Sequence, residues 1–162
     1  MTIAVYPGSF DPFTFGHLDI LERSTKLFDQ VIVAVLVHPT KTCLFGVDKR
    51  VEIITDVLRN KPNVSVENFN GLVVDFCKQR NSCAIIRGLR AVSDYDYELQ
   101  ISSINKQLSP EIETIFLMSS MQYSFLSSSI AKEIAKYGGD VSALVPPRVE
   151  AELRKAYGKR EL

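Results

Sequence analysis

Five short apolar runs alternate along the chain with segments of helical periodicity. The second run, Val31 to Val37, is rich in β-branched residues and has no polar break, which is typical of a strand buried on both faces of a parallel sheet. The five runs are predicted as strands over residues 3–6, 31–37, 64–69, 83–86 and 114–118. The alternation predicts an α/β fold: a Rossmann-like, doubly wound sheet of five parallel strands with helices on both faces, in a single domain over residues 1–162.

The segments that follow these strands predict six helices. The first spans about residues 17–28, and the fifth ends at Gly138-Gly139. Residues suited to begin a helix mark the start of four of them: Asp48, Ser93, Ser127 or Ser128, and Pro146-Pro147. In the fourth helix, apolar residues recur on one face: Tyr97, Ile101, Ile104 and Leu108.

Polar clusters follow four of the predicted strands directly. They are Ser9 to His17 after the first strand, Lys41 after the second, Arg87 to Arg90 after the fourth and the serines of 127–129 after the fifth. In a doubly wound sheet the carboxyl ends of the strands share one edge, and ligands bind there where the strand order reverses. We therefore expect these clusters to form one site.

The first cluster has the pattern of a strand, a glycine-containing loop and a helix start. Pro7, Gly8 and Pro12 interrupt regular structure, and Gly16-His17 opens the helix. Unpaired backbone N–H groups at a helix start carry partial positive charge and suit a phosphate. His17 would lie beside that anion, although a lone histidine after glycine is more often a polar cap.

The basic residues also have two interpretations. Arg87-Gly88-Leu89-Arg90 is predicted to place two guanidinium groups on a tight turn, and arginine forks match phosphate geometry. The alternative is that each arginine pairs with a carboxylate such as Glu98. Lys41 alone is compatible with a solvated loop charge, but its loop lies beside the first loop if the two strands pair.

The serine run resembles an ordinary helix cap as much as a binding element. Ser127-Ser128-Ser129 stands at a predicted helix start, where serine is preferred and where hydroxyl and N–H groups can donate to the phosphates of a nucleotide. The aromatic residues of the preceding segment, 123–126, either flank an adenine or close the core.

Composition excludes some classes of function. The chain has 19 basic and 19 acidic residues, and this balance argues against a general nucleic-acid binder, which would carry a basic face. Its three cysteines, Cys43, Cys77 and Cys83, have no metal or disulfide spacing and are expected to be free thiols in a reducing compartment. Neither a membrane-spanning stretch nor a signal peptide is visible, so we expect a cytoplasmic protein without a membrane partner.

Several blocks of the sequence resemble those of bacterial phosphopantetheine adenylyltransferases, a family of the nucleotidyltransferase superfamily. In the family's order and spacing, these blocks are residues 6–12, 86–94 and 124–129. Thr14-Phe15-Gly16-His17 also matches the superfamily motif of His or Thr, any residue, Gly and His, and segment 94–98 resembles an acidic, aromatic block of the family. The chain has Ser, Phe and Tyr where many members have Thr, Asn and Trp, at Ser9, Phe15 and Tyr123.

The resemblance implies adenylyl transfer from ATP to 4′-phosphopantetheine, giving dephospho-coenzyme A and pyrophosphate. It assigns catalysis to His17, Lys41 and Arg90. It assigns binding of phosphopantetheine to Ser9, Lys41, Val73 and Arg87. It assigns ATP binding to a larger set: Ser9, Phe10, His17, Gly88, Leu89, Arg90, Glu98, Tyr123, Ser124, Phe125, Leu126, Ser127, Ser128 and Ser129.

In this reaction the attacking group is already an anionic phosphate. A direct in-line displacement then needs no strong general base, and alignment and charge stabilisation lower the barrier. A magnesium ion is expected with ATP, without a predicted protein ligand. The resemblance also implies a homohexamer and feedback inhibition by coenzyme A. Two alternatives stay open: a sibling nucleotidyltransferase for an acceptor such as nicotinate mononucleotide, and a catalytically silent nucleotide-binding sensor.

Overall fold

The computed structural model describes residues 1–40, 42–90 and 92–158. Five strands form one parallel sheet in the order β3-β2-β1-β4-β5. The strands are β1 (Ile3–Gly8), β2 (Gln30–Leu36), β3 (Val64–Phe69), β4 (Ala84–Leu89) and β5 (Glu113–Met118). The predicted fold class is confirmed.

Helices cover both faces of this sheet. Within the described residues they are α1 (Phe15–Ser24), α2 (Val47–Leu58), α3 (Val73–Gln79), α4 (Val92–Leu108), α5 (Ser128–Lys136) and α6 (Pro147–Tyr157), with a short 3₁₀ helix at Met121–Tyr123. Buried residues of α1, α2, α5 and α6 pack with one face of the sheet, and α3 packs on the other. α4 lies on the α3 side, because it pairs with Arg87, which is two residues from Ile85 of that face.

The strand order places a crevice beside β1. The chain runs from β1 through β2 to β3 on one side, then crosses to β4 and β5 on the other. The reversal falls between β1 and β4, which pair through Ala4 with Ala84 and through Val5 with Ile85. In such sheets the carboxyl ends beside the reversal are the usual ligand site.

Two strands continue further than their apolar runs predicted. β1 includes Pro7 and Gly8, which were predicted to lie in a loop. β1 pairs with β4 only as far as Val5, whereas it pairs with β2 as far as Gly8. Pro7 therefore lies in a part of β1 that is paired on one side only, where a residue without an N–H is tolerated. β4 runs to Leu89, so Arg87 and Gly88 belong to a strand, and the prediction of a tight turn was wrong.

Helix boundaries differ from prediction where a cap was misassigned. α1 begins at Phe15, because Thr14 caps it, and after Ser24 the chain continues in turns through Phe28. α2 begins after Gly46, so Asp48 lies inside the first turn and is not the cap, and α4 begins at Val92, one residue before Ser93. The predictions for the last two helices are confirmed: the Ser127 side chain accepts the Ile130 N–H over 3.1 Å, and Pro146-Pro147 opens α6.

One apolar surface stays uncovered in the single chain. The predicted apolar stripe of α4 is largely exposed, with Tyr97 at 64%, Ile104 at 51% and Leu108 at 49% of full exposure. A helix long and apolar enough to traverse a bilayer does not occur in the described part of the chain.

Candidate active site

A cavity of about 310 Å³ opens at the carboxyl edge of the sheet, beside the reversal of strand order. Its walls come from the loop after β1, the end of β4, the first turns of α1 and α4, and the start of α5. The predicted site residues in its lining are Ser9, Phe10, His17, Arg87, Gly88, Arg90, Glu98, Leu126, Ser127, Ser128 and Ser129. Clusters that lie far apart in the sequence thus meet in one cavity.

His17 closes the first turn of α1. The Thr14 N–H donates to His17 Nδ1 over 3.0 Å, and the His17 N–H donates to Thr14 Oγ1 over 3.4 Å. This reciprocal pair is a capping box, with histidine at the position where Glu or Gln is usual. Because Nδ1 accepts a hydrogen bond, the proton of the neutral imidazole is on Nε2.

The surroundings of His17 keep the ring neutral. Burial, and then the positive charge of Arg90, lower the pKa of His17 from 6.5 to about 3. The rings of Phe10 and Phe13 hold the imidazole at centroid distances of 5.0 and 5.5 Å. His17 therefore lines the cavity as a neutral hydrogen-bond donor. The cap uses Nδ1 and leaves Nε2 for a ligand, so the two interpretations of this residue are compatible.

Phe10, whose ring packs against His17, has a strained backbone conformation. Its φ is 49°, in the left-handed region that residues with a side chain rarely adopt. Its ring atom Cζ lies 2.9 Å from where a Cβ on Gly8 would stand. Any larger residue at position 8 would displace the Phe10 ring, and with it the surface against which His17 packs.

Arg87 is held by a carboxylate inside the cavity. Its Nε donates to Glu98 Oε2 over 2.7 Å, its Nη2 donates to Glu98 Oε1, and its Nη1 donates to the Pro7 carbonyl over 3.2 Å. Glu98 is buried and comes from the second turn of α4. The alternative considered for this arginine, a pair with Glu98, is therefore its geometry in the structure.

Arg90 occupies a different setting just beyond the end of β4. Its Nη1 donates to the Leu126 carbonyl over 3.1 Å, and its Nε lies 3.3 Å from Asp94 Oδ2. The contact with Leu126 joins Arg90 to the residues that precede α5. The guanidinium thus contacts the residue that precedes the serine run, and its positive charge acts on His17.

Ser9 contacts the second histidine of the chain. The distance between Ser9 Oγ and His38 Nε2 is 2.6 Å, which joins the loop after β1 to the end of β2. Lys41 follows in that second loop, but it lies outside the described residues, so its predicted place in the site stays a prediction.

The serine run combines a cap with the cavity wall. Ser127 caps α5 through Ile130, and the Ser128 hydroxyl donates to the Pro12 carbonyl over 2.7 Å. Both residues line the cavity together with Ser129. The start of α5 is thereby fixed to the loop after β1.

Other predicted site residues of the described chain are not part of this lining. They are Val73, Leu89, Tyr123, Ser124 and Phe125. Leu89 is buried, whereas Phe125 is 87% exposed. The Tyr123 ring stacks on Phe15 with a centroid distance of 6.4 Å, so the two aromatic departures from the usual family residues contact each other.

Comparison with known sequences identifies the family. The profile of the cytidylyltransferase-like family matches residues 5–134. A curated protein of Heliobacterium modesticaldum named phosphopantetheine adenylyltransferase is 52% identical over 158 residues, which cover 98% of this chain and 94% of that protein. The chain belongs to the phosphopantetheine adenylyltransferases of the cytidylyltransferase-like family. It is a nucleotidyltransferase, and the resemblance found in its motif blocks is confirmed.

The fold of this nucleotidyltransferase also occurs in a solved structure. Plasmodium falciparum nicotinic acid mononucleotide adenylyltransferase, complexed with NaAD, superposes with a TM-score of 0.70 over 96% of this chain and 95% of that one. The two sequences are 15% identical, so the similarity concerns the fold alone.

Sequence reasoning missed three charged residues that organise this nucleotidyltransferase site. Asp11 and Lys132 form an ion pair of 3.0 Å in the cavity lining. Arg50 of α2 is buried and donates to the Ser9 carbonyl over 2.6 Å and to the Phe45 carbonyl over 3.0 Å. A signal existed for Lys132, which is one helical turn after Ser128, but Arg50 resembled any solvated helix residue.

The cavity offers the nucleotidyltransferase hydrogen-bond donors and the cationic side chains of Arg87, Arg90 and Lys132, a combination suited to phosphates. Its carboxylates already have protein partners: Asp11 pairs with Lys132, Asp94 with Arg90, and Glu98 with Arg87. Among the described residues, no three His, Cys, Asp or Glu side chains group closely enough to hold a metal ion. The donor set therefore fits a polyphosphate and does not by itself form a metal cage.

Proposed function

We propose that this chain transfers the adenylyl group of ATP to 4′-phosphopantetheine, giving dephospho-coenzyme A and pyrophosphate. The observation that carries the mechanism is a neutral His17, oriented by its own helix cap, beside Arg90 in a cavity at the switch point of the sheet. The name of the 52% identical relative supports the choice of acceptor.

The chemical step is a direct displacement at the α-phosphorus. An oxygen of the acceptor phosphate forms a bond to that phosphorus while the bond to the bridging oxygen breaks, and the electron pair leaves with pyrophosphate. The attacking oxygen is already anionic, so no base is needed. His17 Nε2–H and the Arg90 guanidinium are placed to stabilise the charge that builds at the transition state, and fixed donors do this without reorganising.

The acceptor binds on the side of β1 and β2. Ser9, Arg87 and Lys41 hold its phosphate, and Val73, at the start of α3, lines the pantetheine arm. Two described contacts prepare this side: His38 orients the Ser9 hydroxyl, and Glu98 fixes the Arg87 fork. Lys41→Ala should therefore weaken capture of the acceptor more than it weakens ATP binding.

ATP binds on the side of β4 and α5. Its phosphates meet Arg90, His17 and the donors of Ser127 to Ser129, where the cavity joins the start of α5. Phe10, Gly88, Leu89 and Glu98 complete this side, and segment 123–126 flanks the adenine. A magnesium ion would be held by the phosphates of ATP, because magnesium is commonly bound by substrate phosphates and few protein groups. It neutralises phosphate charge when bound.

Assembly and regulation extend this proposal. The exposed Tyr97, Ile104 and Leu108 of α4 lie beside the edge strand β5, where Met118 is 60% exposed. This surface suits a subunit interface of the homohexamer that the family resemblance implies. Coenzyme A would inhibit by presenting the same pantetheine arm to the acceptor side. The free thiols of Cys43, Cys77 and Cys83 suit the cytoplasm.

One assay decides among the acceptors. The purified chain is mixed with ATP and magnesium, and separately with 4′-phosphopantetheine, nicotinate mononucleotide or neither, and the products are identified by mass spectrometry. We expect dephospho-coenzyme A and pyrophosphate only with phosphopantetheine. A dinucleotide formed from nicotinate mononucleotide would favour the sibling function, and ATP binding without any product would favour the sensor.

A further inference from the structure

Arg50 is a buried cation at the fourth position of α2, and only 3% of the residue is exposed. Its Nε donates to the Phe45 carbonyl over 3.0 Å, and its Nη1 donates to the Ser9 carbonyl over 2.6 Å and to the Leu36 carbonyl over 3.1 Å. Buried charges in proteins are usually paired with an opposite charge. Within the described residues, however, the side chain of Arg50 donates to backbone carbonyls alone. The backbone segments that it joins therefore compensate the burial of its charge.

The three carbonyls belong to two loops at the carboxyl edge of the sheet and to the strand end between them. Ser9 begins the first loop, residues 9–14, which follows β1. Leu36 ends β2, and Phe45 lies near the end of the second loop, residues 37–46, which leads from β2 to α2. A guanidinium is a rigid planar fork, whereas the ammonium of lysine is a single point of charge. Arg50 therefore fixes the first loop relative to both ends of the second.

Asp11, in the first loop, holds the same end of the second loop. Its buried carboxylate accepts the Leu44 N–H over 2.8 Å and the Phe45 N–H over 3.0 Å. The N–H and the carbonyl of Phe45 are thus both bonded to charged side chains. The start of α2 has no side-chain cap at Gly46. Asp11 and Arg50 together therefore determine where the second loop ends and the helix begins.

The second loop contains a group that the proposed function needs. Lys41 lies in this loop, and His38 at its start contacts the Ser9 hydroxyl over 2.6 Å. The acceptor phosphate is proposed above to bind Ser9 and Lys41, one residue from each loop. Binding groups must be held to within about 0.5 Å of their productive geometry. The spacing of the two loops therefore determines whether Ser9 and Lys41 can bind the same phosphate.

We propose that Arg50 is a positioning residue for the acceptor: by joining the two loops, its guanidinium sets the spacing between Ser9 and Lys41. The inference deepens the proposed function and rests on it for the identity of the acceptor. Arg50 is not part of the cavity lining, so it acts through the loops and not as a ligand.

Initial rates with ATP and 4′-phosphopantetheine, each varied in turn, test this role in the full chain. Arg50→Met removes the guanidinium and keeps an unbranched apolar side chain. It should raise the KM for phosphopantetheine about tenfold, because a hydrogen bond from a charged group is worth roughly that much. The KM for ATP should stay within about twofold. Arg50→Lys keeps the charge but not the fork, so it should recover the melting temperature more fully than the acceptor KM.

The matched control is Ile54→Ala, on the buried face of the same helix. This variant lowers stability by leaving a cavity, and it removes none of the hydrogen bonds to the loops. Both KM values should stay within about twofold of the wild type. Equal rises of the two KM values in Arg50→Met would overturn the proposal and leave Arg50 as a residue of the fold alone. If Arg50→Met does not fold, an unchanged acceptor KM in Arg50→Lys overturns it.

Hydrogen exchange provides a measurement that needs no acceptor. In Arg50→Met the Phe45 amide should exchange about tenfold faster than in the wild type, because the end of the second loop opens more readily. The Ile32 amide of β2 should exchange as in the Ile54→Ala control. An unchanged rate at Phe45 refutes the connection between the loops. A wild-type chain that converts no phosphopantetheine refutes the proposed function instead.

Discussion

Two regions of this molecule are rich in arginine–carboxylate pairs, the cavity and the junction of α2 with α6, yet they use them differently. At the junction, Arg148 contacts Asp56 and Glu52 over 2.8 Å each and also pairs with Glu152. Lys155 lies 3.0 Å from the same glutamate. Every one of these charges has its partner within the protein, and the contacts fix the last helix to the second.

In the cavity the arginines are also paired with carboxylates, but backbone carbonyls hold them as well. Arg87 donates one hydrogen bond to the Pro7 carbonyl, and Arg90 donates one to the Leu126 carbonyl. These bonds orient the two guanidinium groups. The same region holds a neutral imidazole and a left-handed Phe10, features that stability alone does not favour. Ion pairs occur in both regions, so they do not distinguish the site from the junction. The left-handed Phe10 and the buried, neutral His17 distinguish it.

The largest expected effect separates the two functions of His17. His17→Ala should lower kcat by roughly 10²–10³-fold or more, because one preorganised donor at a transition state is worth that much. It should also lower the melting temperature, because the Thr14 N–H loses its acceptor. Turnover, ATP affinity and melting temperature are measured on one preparation.

The matched variant is His17→Gln. Glutamine is a usual partner in a capping box, so this variant should recover the melting temperature while turnover stays low. Near-normal turnover in a folded His17→Ala protein would reduce His17 to a structural cap and remove the main contrast between the cavity and the junction.

A smaller effect is expected for the carboxylate that holds Arg87. Glu98→Gln should lower kcat/KM for the acceptor by about tenfold, because the guanidinium fork loses its bidentate partner. Glu67→Gln provides the control, since it breaks another arginine pair, with Arg80 at 2.6 Å, on β3. If both variants lower kcat/KM equally, the loss comes from the fold and not from the site.

At the junction, Arg148→Ala should affect stability and leave catalysis intact. The buried Glu152 would keep Lys155 but lose its arginine, at a cost of about 1–2 kcal/mol in the free energy of unfolding. Denaturant unfolding measures that cost, and kcat at 25 °C should stay within about twofold. A large fall in kcat in the folded variant would show that α6 influences the cavity and would remove the contrast between the two regions.

The smallest effect concerns pH. The folded chain holds His17 neutral down to a pKa of about 3, whereas the unfolded chain binds a proton below about 6.5. The unfolded state therefore gains protons first, and the wild type should lose stability relative to His17→Gln as pH falls. The expected loss is about 1 kcal/mol between pH 6.5 and 5.5. A constant difference between the two proteins across this range would mean that His17 titrates normally in the folded chain.

Much of the fold could be predicted from the sequence, because the spacing of apolar residues indicates which residues are buried. Val31 to Val37 reads as a buried strand, and β2 (Gln30–Leu36) is one. The boundaries that failed depend on partners far away in the chain: Pro7 is accepted in β1 because of where the pairing with β4 stops, and Arg87 extends β4 because Phe116 of β5 pairs with it.

The sequence predicted which clusters would meet at the site, but it did not predict which side chains would contact each other. The strand ends predicted that His17, Arg90 and the serine run would meet, since one sheet edge collects them. Nothing local predicted that Asp11 would contact Lys132 or that His38 would contact Ser9, because each contact joins residues that lie far apart in the chain. The sequence offered a polar cap as one role of His17, but it did not predict the capping box with Thr14, because Glu or Gln is usual at that position.

The capping box of α1 has a consequence for how the protein loses activity on heating. The first turn of a helix opens locally far more readily than a domain unfolds. Each such opening breaks the bond from the Thr14 amide to His17 Nδ1, and the imidazole loses its orientation at the same moment. Hydrogen exchange at the Thr14 amide therefore counts the fraction of molecules that are momentarily inactive. Heating should silence the enzyme through this turn before the sheet begins to melt.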